Sequence, residues 1–168
     1  MRNTLIAYLD IAARPGVILA SGLLTLVLTA VFGIVMSVWE FAIIDEMVRP
    51  DAVAAHVEAM TDAQRRAHQW LTGTVDLLYP FAYATFFTGV FQRFLSGTPR
   101  LILTAMAIAI VPFDLLEGLA QIMILGGKPA WLAVKAVATP VKLALYAPAL
   151  LMATITLIFA GFRHVLRG

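Results

Sequence analysis

Four carboxyl side chains stand within or at the edges of long apolar runs, and their spacing places them on helix faces. Asp114, Glu117 and Gln121 fall at i, i+3 and i+7, so one face of a helix carries all three. Asp76, Pro80 and Tyr83 fall at i, i+4 and i+7, and Lys135, Thr139, Lys142 and Tyr146 at i, i+4, i+7 and i+11. Ser37 and Glu40 end the apolar run before them, three residues apart. Such a set can do acid–base work: a protonated carboxyl donates and a neighbouring carboxylate accepts, as in shifting a double bond of a lipid-like substrate. In that reading Glu117 is the acid and Asp76 or Asp114 the base. Glu40, Pro80, Tyr83, Gln121, Thr139, Lys142 and Tyr146 then line the ligand site. The competing reading is structural, with hydrogen bonds between helices or a buried ion pair to Lys142. Lys142 can also snorkel to the headgroups, and the tyrosines can form an interfacial belt.

Other chemistries lack their residues. The chain has no cysteine, which excludes disulfides, thiol catalysis and cysteine-ligated metals. His56 and His68 are 12 residues apart and His164 is distant, so no histidine pair has metal-ligand spacing. There is no glycine-rich phosphate loop and no serine nucleophile motif. No metal or cofactor is expected, and no basic patch points to nucleic acid.

The elements that must position these residues are membrane helices. Of 168 residues 61% are hydrophobic and only 13% charged, with mean hydropathy +0.90. A soluble domain holds about 25% charged residues. The reading is an all-α polytopic membrane protein, one four-helix domain over 1–168, with spans at about 15–39, 75–95, 101–125 and 139–162. The first run is 25 residues, or roughly 37 Å of helix. That is too long for a signal peptide, so it is read as a retained span. Ahead of it, Leu5, Ile6 and Leu9 suggest a short interfacial helix.

The polar stretch 40–74 reads as a lid on the bilayer surface. It holds Glu40, Asp45, Glu46, Asp51, Glu58 and Asp62, with Arg49, Arg65 and Arg66. Pro50 opens a short helix with Val53, Val57 and Met60 on one face. Thr61 and Gln64 have capping-box spacing for a second, which Gly73 is expected to break before the next span. Ser96-Gly97-Thr98-Pro99 predicts a tight turn, Gly126 to Pro129 a helix end, and 130–138 an interfacial stretch anchored by Trp131. In an up-down bundle the polar stripes of all four spans then share one half of the membrane, beneath the loop.

Arg2, Arg14, Arg93, Arg100, Arg163 and Arg167 fall on one side, and Arg49, Arg65, Arg66, Lys128 and Lys135 on the other. With six carboxylates in the second set's loop, both termini are expected on the cytoplasmic side; the lack of a cleavable signal and of mitochondrial presequence features makes a bacterial inner membrane the expected location.

Asp76-x3-Pro80-x2-Tyr83, Phe113-Asp114-x2-Glu117 and Thr139-x2-Lys142 together resemble a group of bacterial four-span integral membrane proteins. The resemblance covers most of 60–160 and implies the architecture and a shared intramembrane site, but no activity. Gly118 stands where that group's pattern has Asn. A fainter similarity, over Leu145 to Leu151 and the placing of Asp45 and Asp76, is to the EXPERA group of the emopamil-binding sterol isomerase and the sigma-2 receptor. It implies a pocket for a sterol- or lipid-like small molecule.

Two further function classes fit the sequence. An accessory or assembly subunit of a larger membrane complex, or a homo-oligomer, would use the polar stripes as glue and the small face Gly22, Thr25, Thr29 and Gly33 for close packing. An ion- or proton-coupled transporter would need an oligomer, and the repeats of known carriers are absent.

Overall fold

The computed structural model describes residues 2–45 and 47–165. Glu46 and Arg167, counted above among the loop carboxylates and terminal basic residues, lie outside the described residues, as do the side chains of Arg2 and His164. The chain forms α1 (Arg2–Ala12), α2 (Pro15–Trp39), α3 (Pro50–Ala59), α4 (Asp62–Phe94), α5 (Gly97–Leu125) and α6 (Leu132–Val165), with a 3₁₀ turn at Pro129–Trp131. Among the described residues there is no strand.

Local chemistry sets most of the ends. Pro15 and Pro50 open α2 and α3 from first-turn positions, where a missing N–H costs nothing. At the start of α4 the capping box forms. The Gln64 N–H donates to Thr61 Oγ1 at 3.3 Å, and the Thr61 N–H donates to Gln64 Oε1 at 2.9 Å. Past α5, Gly127 takes φ +82°, a left-handed turn that glycine adopts without penalty. Glu40 adopts φ 51° as it ends α2, turning the chain out into the lid.

Two expectations fail here. Gly73 breaks nothing: the short helix after Thr61 and the apolar segment after Val75 are one continuous α4. A single glycine inside a helix costs only about 1 kcal/mol, and packing of Leu71, Thr72 and Asp76 on either side outweighs it. Residues 132–138 likewise belong to α6, so the separate stretch shrinks to the 3₁₀ turn.

Three of the segments expected to span are long and apolar enough to cross a membrane: 15–39, 97–125 and 129–163. The remaining long helix, α4, is 33 residues and more polar. It occupies the middle of the bundle, packed against α1, α2, α5 and α6, so its inward faces can carry Thr72, Asp76, Tyr83 and Thr88. It still shows an outward apolar face at Leu77, Leu78 and Phe81. α1 closes against it at Gly89, where an added Cβ would stand 2.4 Å from the Ala12 carbonyl oxygen.

The buried apolar side chains form two clusters. One joins Phe87, Val90 and Phe91 of α4 to Ala107 and Ile110 of α5 and Ala149 of α6. The other is the seat of the lid, where Phe41, Ile44, Val53 and Val57 meet Leu71 of α4 and Ile124 of α5. Between the two lies a layer of buried polar residues: Asp76, Asp114, Glu117, Gln121, Lys135, Thr139 and, nearly enclosed, Lys142.

Candidate functional site

Glu117 is the centre of that layer. It is fully buried, and its carboxylate receives Lys135 Nζ at 2.8 Å, the Thr139 hydroxyl and Lys142 Nζ. Lys135 also donates to Thr139 Oγ1 at 2.8 Å and to the Asp45 carbonyl oxygen at 3.4 Å, which ties the lid to the bundle. Lys142 reaches on to Asp114 Oδ1 at 3.1 Å, and the Tyr83 hydroxyl donates to Asp114 Oδ2 at 2.6 Å. The helical spacing of the sequence makes this possible. Asp114 and Glu117 share a face of α5, and Lys135, Thr139 and Lys142 share the facing stripe of α6. Two carboxylates and two ammonium groups thus compensate one another, as buried charges must to persist.

Above this network a cavity of about 260 Å³ opens between the lid, α2, α4 and α6. Its wall carries the carboxyls of Asp45, Asp76 and Asp114 and the Lys142 ammonium. Tyr79, Tyr83, Tyr146 and Phe32 supply aromatic surface, the tyrosine rings stacking edge to face about Tyr83 with centroids 5.2 Å and 5.1 Å apart. Asp76 is 7% exposed, and among the described residues its side chain makes no hydrogen bond and no ion pair. Asp45 makes no ion pair among them either. Burial pushes the Asp45 carboxyl up from its ordinary range, with Lys142 as the main opposing charge.

The structure brings together most of the residues singled out by sequence, in two tiers. Asp76, Tyr83, Asp114, Lys142 and Tyr146 line the cavity. Glu117, Thr139 and Gln121 are buried away from its wall, and the Gln121 amide oxygen and nitrogen have no partner among the described residues. Pro80 is buried within α4, also off the wall. Glu40 does not join the site: its left-handed backbone leaves the side chain exposed at the end of α2. Lys142 does not snorkel, because two carboxylates hold it inward.

Three residues that the sequence reading left outside the site belong to it or to its support. Lys135 lies on the right stripe, yet its position at the bilayer edge reads as a topology charge. Asp45 reads from its surroundings as one more loop carboxylate, and only the fainter resemblance sets it beside Asp76. His68 reads as a loop histidine, but it is fully buried between lid and α4. The Ile44 N–H donates to its Nε2 at 3.2 Å, and its Nδ1 lies 3.1 Å from Thr72 Oγ1. An acceptor Nε2 leaves the proton on Nδ1, so the ring donates to Thr72. Among the described residues no cluster of potential ligands could hold a metal ion.

Comparison with protein-family models, with curated proteins and with solved structures finds no match for this chain.

Proposed function

We propose that this chain is a four-span protein of the bacterial inner membrane, both termini cytoplasmic, whose intramembrane acidic cavity binds a small apolar or amphipathic ligand. The observation that carries the reading is the wall of that cavity, where three carboxyls and three phenols converge and Asp76 is buried without a partner among the described residues. A merely structural polar layer pairs its groups, as Glu117 and its two lysines do. An unpaired buried carboxyl beside open volume is what a binding site leaves for its ligand. Outward apolar side chains on α4 support its crossing the membrane with the other three long helices.

If the site is catalytic, the reaction that suits it is double-bond isomerisation. One carboxyl gives its proton to an alkene carbon, a neighbouring carboxylate takes the allylic proton, and the double bond moves with no net change in composition. Asp76 and Asp45 are the groups free for that exchange. Glu117, enclosed by two lysines and a threonine, holds Lys142 in place. Native mass spectrometry of the wild-type protein beside Asp76→Asn tests the binding reading. A discrete bound mass in the wild type, lost in the variant, is expected. Identical bare spectra for the two would overturn it and favour the accessory-subunit reading.

A further inference from the structure

α2 and α6 both pack along α4 but make no extended contact with each other. The gap between them is an apolar groove of about 560 Å³, floored by Phe86 and Phe87 of α4 and walled by Ile18 and Gly22 of α2 and Leu150 and Leu157 of α6. Along α2 the groove runs from Pro15 to Leu26, roughly 17 Å of helix, against about 15 Å for one leaflet of the hydrocarbon core. That depth suits one acyl chain. Any lipid could fill an apolar groove, so the groove's polar end decides whether it selects one.

The end away from the lid is basic. Arg93, Phe94 and Leu157 line both the groove and a second hollow of about 880 Å³, set between the α4–α5 turn and the last turns of α6. Arg93 and Arg163 stand on its wall beside Ser96, and Ile155 and Phe159 give it an apolar side. Among the described residues no carboxylate lines this hollow, and neither arginine is in an ion pair. Arg93 makes only a long hydrogen bond, 3.5 Å, to the Ala13 carbonyl oxygen. Ser96 precedes α5 without capping it through its side chain, so the hydroxyl and the open N–H groups of the first turn add donors at the rim. Guanidinium forks match phosphate oxygens, and basic hollows between membrane helices are where anionic head groups bind. A phosphodiester brings the anion that this wall lacks. The head of phosphatidylcholine brings a cation as well, which here would meet arginines and no carboxylate; the head of phosphatidylglycerol brings none.

We infer that the chain holds one anionic glycerophospholipid, its phosphate between Arg93 and Arg163 and one acyl chain in the α2–α6 groove. The head site lies at the opposite end of the bundle from the acidic cavity and shares with the reading above only that the long helices cross the membrane. The test releases the full chain from nanodiscs holding equal amounts of phosphatidylglycerol and phosphatidylcholine and reads the retained lipid by native mass spectrometry. A single phosphatidylglycerol adduct is expected, favoured about tenfold or more over phosphatidylcholine. Arg93→Gln and Arg163→Gln are each expected to lower that preference about fivefold, and Leu150→Trp, which fills the groove, to lower retention of the adduct. Asp76→Asn and added glycerol 3-phosphate are expected to leave the adduct unchanged. Equal retention of the two lipids would mean a non-selective lipid shell and would overturn the inference. So would displacement by glycerol 3-phosphate, the mark of a free-phosphate site, or a preference that both arginine variants keep. These outcomes leave the acidic-cavity reading standing. Loss of the adduct in Asp76→Asn would overturn the inference by placing the lipid head in that cavity.

Discussion

Lys135 is a buried lysine held by three partners. Its ammonium sits at 1% residue exposure against Glu117, Thr139 and the Asp45 carbonyl. Removing one member of a buried pair leaves the other uncompensated, which costs about 3–5 kcal/mol. Lys135→Met is therefore expected to lower resistance to chemical unfolding by that amount. Combining it with Glu117→Gln should recover part of the loss, because the stranded carboxylate disappears. A double-mutant cycle on the purified protein checks this; additive losses would show that the two side chains are uncoupled. At this scale the sequence is legible where a polar residue interrupts an apolar run, because a carboxyl at Asp114 or Glu117 has no solvated alternative. It is illegible at Asp45 and His68. Each lies in a stretch rich in polar residues, where a buried group and a solvated one are written alike.

Among the elements, α4 departs furthest from its reading. Gly73 looks like a break and is not one, since the cost of one helical glycine is small beside the packing that continues through it. Gly89, which carries no obvious signal, is the position where α1 comes closest. A methyl there would stand 2.4 Å from the Ala12 carbonyl oxygen and 2.7 Å from Ile18 Cγ1, and backbone cannot step aside as a side chain can. Gly89→Ala is expected to cost about 1–3 kcal/mol by overpacking and to loosen α1 from the bundle. Faster amide exchange over residues 4–12 with unchanged protection in α5 would show it; uniform protection would mean that α1 does not depend on this contact. Helix starts are legible because prolines and the Thr61–Gln64 box act locally. Crossing partners are not, since which face of α2 meets α4 depends on shape rather than on periodicity.

For the whole molecule, the described basic residues Arg14, Arg93, Arg100 and Arg163 gather near the ends of the bundle opposite the lid: Arg93 reaches the Ala13 carbonyl, and Arg93 and Arg163 line one surface hollow. With no native cysteine, topology can be read on a clean background. Asp51→Cys in the lid is expected to react with an impermeant maleimide applied to spheroplasts, and Ser96→Cys at the opposite turn only after the membrane is opened. The reverse pattern would invert the proposed orientation. Composition is enough to read the helical class, because so few charges and so many apolar residues admit little else. The extent of α4 as one element is not readable from it, because a helix shielded on several sides needs less apolar surface than its neighbours.

The charged layer also constrains how the protein is made. α5 alone would bring Asp114 and Glu117 into the hydrocarbon, and α6 alone would bring Lys142, each at about 3 kcal/mol near a helix centre. Joined by the short turn at 126–131, with Lys135 and Lys142 set against Asp114 and Glu117, they cancel most of that cost as a pair. The two helices are therefore expected to enter the bilayer together as a hairpin, the partner's charges being needed before either can settle there.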